Sequence, residues 1–318
     1  MSEIVEDPKL RRIERNYLKV FHHLEPESLR TVRSHENEWP EAGALASAGS
    51  QGDRPQDTFL DFYGREGLAA ALEVYGLFDE IRNRGLGEPT LSFSRFENTY
   101  DVLRIHGSAS PHPLVELIAK TGPLPPEVRE PAGLQNCRFL HIKWLRMQNP
   151  LLPPSPDKPL LPGQVFPGLG MGREVLSLLQ MMAQRLDLDG VVEVPERLHN
   201  AALYFVRFRF LCPEEQGVFT AILRDTREHT LADLAWGVEC GALLDLVHRR
   251  PFRWLPREQI LPRRGPVAEW MASDEYLRRA RQAMDEARFQ LSTGDIAWEE
   301  VRSVTGENVP NPFPVKIK

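Results

Sequence analysis

The residue types best suited to chemistry lie between positions 163 and 211. Glycines 168, 170 and 172 stand in the run Gly-Gln-Val-Phe-Pro-Gly-Leu-Gly-Met-Gly-Arg, immediately before an apolar periodic segment. Glycine lets a backbone turn tightly and come close to a ligand without a Cβ in the way. A helix opening there presents unpaired N–H groups and the positive end of its dipole, which favours an anion such as phosphate. Gln164, Gly168, Leu169, Gly170, Met171, Gly172 and Arg173 are therefore the anion-site residues. Arg173 opposes the helix dipole, and a bound anion would answer it. The plainer alternative is a tightly packed turn with Arg173 in solvent, since a short glycine pattern is weak evidence. A dinucleotide fold fits poorly, because the segment before the turn is proline-rich rather than a buried strand.

Beyond the turn stand further groups able to move protons. Tyr204 carries a phenol with an ordinary pKa near 10, placed one strand after the glycine turn and its helix. Glu193, His141 and His199 are the side chains available as a general base. Each has a structural alternative: Glu193 facing solvent, His141 a sheet residue and His199 on the surface. Asn200 reads as a helix N-cap. The three cysteines, 137, 212 and 240, are widely spaced and suit neither a disulfide framework nor a zinc site. The histidines show no metal-ligand spacing, so no metal is expected. The Arg249-Arg250-Pro-Phe-Arg253-Trp254 cluster reads as a solvated turn, or as a contact for an anionic partner or a cofactor phosphate.

The elements that must position these residues follow from the hydrophobic pattern. Helices are expected over 8–33 and 59–84, with a polar loop over 34–58. A hairpin is expected from strands 90–95 and 100–106, then a short helix at 113–120. The segment 137–146 alternates as a strand. Residues 149–167 hold seven prolines (150, 153, 154, 156, 159, 162 and 167), which excludes both helix and central strand. A helix from Arg173 to about Leu186, a strand over 190–194, a helix near Asn200 and a strand over 208–211 complete this region. Beyond Pro213 the pattern is helical, over 213–225, 230–247 and 266–291.

Taken together, residues 137–211 resemble the GCN5-related N-acetyltransferase family. That family runs from a strand through a glycine turn into a helix that binds the pyrophosphate of acyl-CoA. A second strand follows, then an Asn-x-x-(small/apolar)-Leu-Tyr helix. Asn200, Leu203 and Tyr204 fall on the last of these positions. Two departures stand out. The family's Arg or Gln three residues before the first glycine has no counterpart, since Val165 and Pro167 occupy those places. The proline-rich stretch 149–167 also interrupts the passage from strand to turn.

The resemblance implies an α/β fold with a mixed central sheet flanked by helices, and a helical C-terminal region. It divides the chain into 1–58, an N-terminal helix and polar linker; 59–225, the acetyltransferase-like domain; and 226–318. It implies an N-acyltransferase that moves an acyl group from acetyl-CoA or another acyl-CoA to an amine acceptor. Gly168–Gly172 would hold the cofactor, with Asn200 and Gln164 beside it. Backbone N–H groups near Trp144–Met147 would polarise the acyl carbonyl, and Tyr204 would protonate the leaving thiolate. A degenerate, non-catalytic binding protein of the same fold is the alternative.

Composition sets outer bounds. The chain has 318 residues, 42% of them hydrophobic and 26% charged, with a formal net charge of −6. That balance suits a globular protein and gives no basic excess for nucleic acid. No stretch approaches the roughly 18–20 apolar residues of a membrane span. The charged N-terminus lacks a signal-peptide pattern, so a cytoplasmic location is expected. A homodimer is compatible with the sequence.

Overall fold

The computed structural model describes residues 7–32, 54–129, 133–155, 159–296 and 298–303. Most of the polar stretch 34–58 lies outside the described residues. The architecture is mixed α/β, with a central sheet flanked by helices. The chain forms two compact units, one of residues 1–151, 168–192 and 263–266, the other of 152–167, 193–262 and 267–318. The division runs through the 59–225 segment, because residues 193–225 share a core with the C-terminal part of the chain.

In the first unit, α1 (Pro8–His23) opens with Asp7, whose carboxylate accepts from the N–H groups of Lys9 and Leu10. After α2 (Pro26–Leu29) and the short strand β1 (Arg54–Pro55), residues 58–64 form a small hairpin rather than the start of a helix. Its strands are β2 (Thr58–Phe59) and β3 (Tyr63–Gly64), and Leu60 and Asp61 take φ of 57° and 53° between them. The buried Asp101 carboxylate accepts from the Leu60 N–H at 2.7 Å and offsets the local backbone cost. Helices α3 (Arg65–Val74) and α4 (Leu77–Asn83) follow, divided at Gly76.

The sheet of this unit is built mainly from an antiparallel meander. Its strands are β4 (Pro89–Phe96), β5 (Tyr100–Gly107), β6 (Pro113–Gly122) and β7 (Phe139–Met147). The spatial order is β1-β4-β5-β6-β7-β8, with β8 at Gly190–Glu193. The β4–β5 turn places Glu97 and Asn98 at φ of 52° and 55°, as a tight hairpin requires.

The helix expected at 113–120 is instead β6, and the reason is burial on both faces. Residues Pro113 to Ala119 are all buried between β5 and β7, so the period-2 signal is lost. A short helix, α5 (Pro126–Arg129), lies in the β6–β7 connection. The pairing of β6 with β7 shifts register between Ile118 and Ala119, leaving Lys143 as an extra residue opposite them. Such a bulge bends a strand and re-aims the residues that follow. Helix α6 (Gly172–Arg185) packs against α1, where Arg185 stacks 4.0 Å over Phe21 and donates to the Phe21 carbonyl at 2.7 Å.

The second unit corrects the expectation of a helical C-terminal region. Helices α7 (Leu198–Tyr204), α8 (Pro213–Asp225) and α9 (Leu231–Glu239) share it with strands β9 (Arg209–Phe210), β10 (Leu243–Asp245), β11 (Arg250–Pro251) and β12 (Gln259–Pro262). The expected helix over 230–247 stops at Gly241, whose φ is 72°. The expected helix over 266–291 is two helices and a strand: α10 (Gly265–Ala272), α11 (Asp274–Glu286) and β13 (Phe289–Leu291). Ser273 caps α11 and breaks the run. The last described element is α12 (Trp298–Ser303). Strands β11-β10-β13 form one sheet, and β12 pairs antiparallel with β9. Phe210, Phe219, Leu243, Phe289 and Leu291 form part of the core of this unit.

Close packing of α8 on α11 depends on Gly217. A Cβ there would stand 2.2 Å from the Ala280 carbonyl oxygen and 2.7 Å from the Ala283 Cβ. Gly217→Ala is therefore expected to destabilise the protein by about 1–3 kcal/mol, as overpacking does. Urea unfolding reads this directly, and an unchanged midpoint would refute the packing.

Candidate functional site

The glycine turn belongs to the first unit, and its place there is set by the end of β7. The Gln148 N–H donates to the Leu114 carbonyl at 2.9 Å, and its side-chain amide donates to Pro113. Gln148 also bridges antiparallel to Gly168, and the Leu169 N–H donates to the Met147 carbonyl at 3.3 Å. The proline-rich stretch is thus an excursion whose ends close on each other. In space the turn follows the strand directly.

Within the turn, exposure alternates. Leu169 and Met171 are each 1% exposed and anchor it, while Gly168 and Gly170 face outward. Gly170 has φ of 74°, a conformation open to glycine and costly for other residues. Helix α6 follows with Met171 as its N-cap and no side chain satisfying its first N–H groups. Glu174 in the first turn suits the helix dipole. Two arginines stand close. Arg84, from the end of α4, donates to the Leu169 carbonyl and is paired with Glu80 at 2.7 Å. Its Nη1 would lie 3.1 Å from a Cβ on Gly170. Arg173 is paired with Asp7. The Arg173 guanidinium in turn holds the Asp7 carboxyl below its ordinary pKa.

His141 lies on β7, also in the first unit. Its Nε2 meets the Gly122 carbonyl at 3.1 Å across the β6–β7 ladder. Burial lowers its pKa, so the ring is neutral at neutral pH and ties two strands together. Strand β8 begins beside β7: the Asp189 N–H donates to the Arg138 carbonyl at 2.8 Å, and the Arg138 N–H donates to the Asp189 carboxylate.

The remaining sequence-derived residues lie in the second unit. Glu193 ends β8 at 5% exposure, against the expectation that it faces solvent. Its Oε1 is shut off from solvent and has no hydrogen-bond partner among the described residues. Burial raises its pKa well above the ordinary carboxylate value, which favours the protonated form. Tyr204 closes α7 with its ring 5.4 Å from Phe208. Burial, and secondarily the charge of Glu193, raises the phenol pKa well above 10. His199 is 3% exposed, not a surface residue, and its pKa is lowered to about 4 by burial and Arg197.

Asn200 is not the N-cap of α7. That position is Arg197, and the Asn200 N–H already bonds the Arg197 carbonyl inside the helix. Gln164 caps a turn of the proline-rich segment by accepting from the Leu161 N–H at 3.0 Å. Arg84 and Gln148 were not legible as parts of the turn. Arg84 lies 85 residues before the carbonyl it binds, and no local pattern announces such a contact. Among the described residues, no cluster of three or more His, Cys, Asp or Glu side chains suits a metal ion. No helix there is long and apolar enough to cross a membrane.

The buried acid has a measurable signature. A carboxyl with a raised folded pKa holds its proton in the native state after the unfolded chain, titrating near about 4.3, has lost it. Its contribution to stability therefore falls as pH rises from the unfolded value toward the folded one. Glu193→Gln has no such proton, so its melting temperature relative to the parent should climb as pH rises above the unfolded carboxyl value. A pH-independent difference between the two would contradict a protonated Glu193. Compared with known proteins, the chain matches no protein-family model and no curated protein.

Proposed function

We propose that the protein is an acyl-CoA-dependent N-acyltransferase of the GCN5-related type, with acetyl-CoA or another acyl-CoA as donor and an amine as acceptor. The observation that carries this reading is the joining of β7 to α6. A bulged strand ends in a glycine turn pinned by Gln148–Gly168 and Leu169–Met147, and the helix behind it has no side-chain cap. The N–H groups of that first turn suit a pyrophosphate, and Gly168 and Gly170 leave room for one to approach. Arg84 adds positive charge beside Gly170 where the family's Arg or Gln is missing from the sequence. The acyl-CoA supplies a thioester carbonyl open to attack by an amine. Backbone N–H groups around Trp144–Met147 would polarise that carbonyl. Tyr204, protonated throughout the neutral range, has a proton to give to the leaving thiolate.

A second reading, a non-catalytic CoA-binding protein of the same fold, draws on the base candidates. Burial favours the protonated form of Glu193, the His141 Nε2 is committed to a carbonyl, and His199 is buried. On the catalytic reading the amine must then arrive neutral or lose its proton to water.

Thermal unfolding with CoA and acetyl-CoA separates these outcomes. Ligand at 100 times its dissociation constant should add about 2.7 kcal/mol, with slowed amide exchange over 163–175. Gly170→Val should abolish both effects. Their absence in the parent protein would overturn either reading. If acetyl-CoA binds, release of free CoA thiol from it on adding a panel of primary amines, with the acetyl group passing to the amine, supports catalysis, and binding without release supports the second reading. Tyr204→Phe is expected to lower turnover by about 10²–10⁴-fold with CoA affinity unchanged. Full turnover in that variant would remove Tyr204 as the acid.

A further inference from the structure

The second unit contains an open cavity of about 640 Å³ that plays no part in the acyltransferase reading. It lies between the residues leading into α7, the end of α9 and the chain after β11. Its volume falls within the range of small-molecule sites, about 300–1,000 Å³.

Two half-buried aromatic rings, Phe252 and Trp254, form part of the wall, and both are held rigidly. The Phe252 ring meets Phe289 edge-on at 5.5 Å, and its N–H donates to the Leu243 carbonyl. Trp254 packs 5.9 Å from Phe219 and 6.2 Å from Phe210, and its indole N–H donates to Pro195 at 3.0 Å. Rings fixed from behind form a preorganised apolar surface for a ligand.

The charged residues of the lining divide into a closed pair and two open groups. Arg197 and Glu239 satisfy each other at 2.5 Å. Arg253 and Glu196 also line the cavity, and neither makes a hydrogen bond or ion pair among the described residues. One guanidinium and one carboxylate therefore remain available around a rigid aromatic wall.

We propose that this cavity binds a small aromatic zwitterion, an amino acid or short peptide with a free ammonium and a free carboxylate. Arg253 takes the carboxylate, where its planar fork offers two donors. Glu196 takes the ammonium, which the neighbouring indole face also attracts. Phe252 and Trp254 take the aromatic side chain. The inference is independent of the acyl-CoA reading.

Cys240 supplies the test, because its exposed free thiol lines the same cavity. Cys212 is also free and exposed and lies outside the lining, so it serves as an internal reference. Alkylation of both by iodoacetamide would be followed by mass spectrometry in the full-length protein. L-Phenylalanine and the dipeptide Phe-Gly should slow modification of Cys240 relative to Cys212, and whichever protects better identifies the source. N-acetyl-phenylalanine and phenylalaninamide, each lacking one charge, should bind about tenfold more weakly, a difference of about 1.4 kcal/mol. The exposed substitution Arg253→Gln should remove the preference for phenylalanine over its amide. Failure of both zwitterions to protect Cys240 would overturn the proposal. Equal protection by the singly charged analogues would do the same.

Discussion

The junction at the end of β7 is the constraint on which the first unit turns. The Met147 carbonyl accepts from Leu169, and Gln148 pairs with both Leu114 and Gly168. These bonds let residues 149–167 leave the strand without displacing what comes after it. Closing a loop of that length costs entropy that grows only slowly with each added residue. A long excursion is therefore tolerable once its ends are pinned. Leu169 and Met171 reinforce the pin by burial, and α6 and β8 inherit their positions from it.

Polar groups elsewhere are placed at greater energetic risk. In the first unit, Arg104, Glu116 and Arg146 face one another across three strands, with Arg104 to Glu116 at 2.7 Å and Arg146 to Glu116 at 3.2 Å. Such a network is strongly destabilised when one partner is removed, since the remaining charge stays partly desolvated. Glu193 in the second unit solves the same problem differently. Burial raises its pKa and so favours the protonated form. A carboxyl in that form does not serve as an ionised base.

Some elements could be read from local pattern and turn chemistry. The hairpin of β4 and β5, the strand β7 and the helix α6 all form within a residue or two of where they were expected. The glycine turn was legible for a related reason, since glycine spacing reports backbone geometry without reference to distant residues. Strand β6 was not legible: buried on both faces, it offers no alternation. The C-terminal strands β10 to β13 are two to four residues long, too short for a period to emerge against the helices around them.

The local chain accounts for the turn at Gly170, the helix behind it and the exclusion of regular structure from the proline-rich stretch. Each of these follows from φ preferences and hydrogen-bonding capacity within a few residues. Tertiary folding decided the rest. It set Asp7 against Arg173, brought Arg84 to Gly170, buried Glu193 and His199, and assigned residues 193–225 to a core shared with the C-terminal part. Burial and charge pairing depend on partners far away along the chain. Whether a carboxyl is a base or a neutral acid is therefore a property of the folded environment and not of its neighbours in sequence.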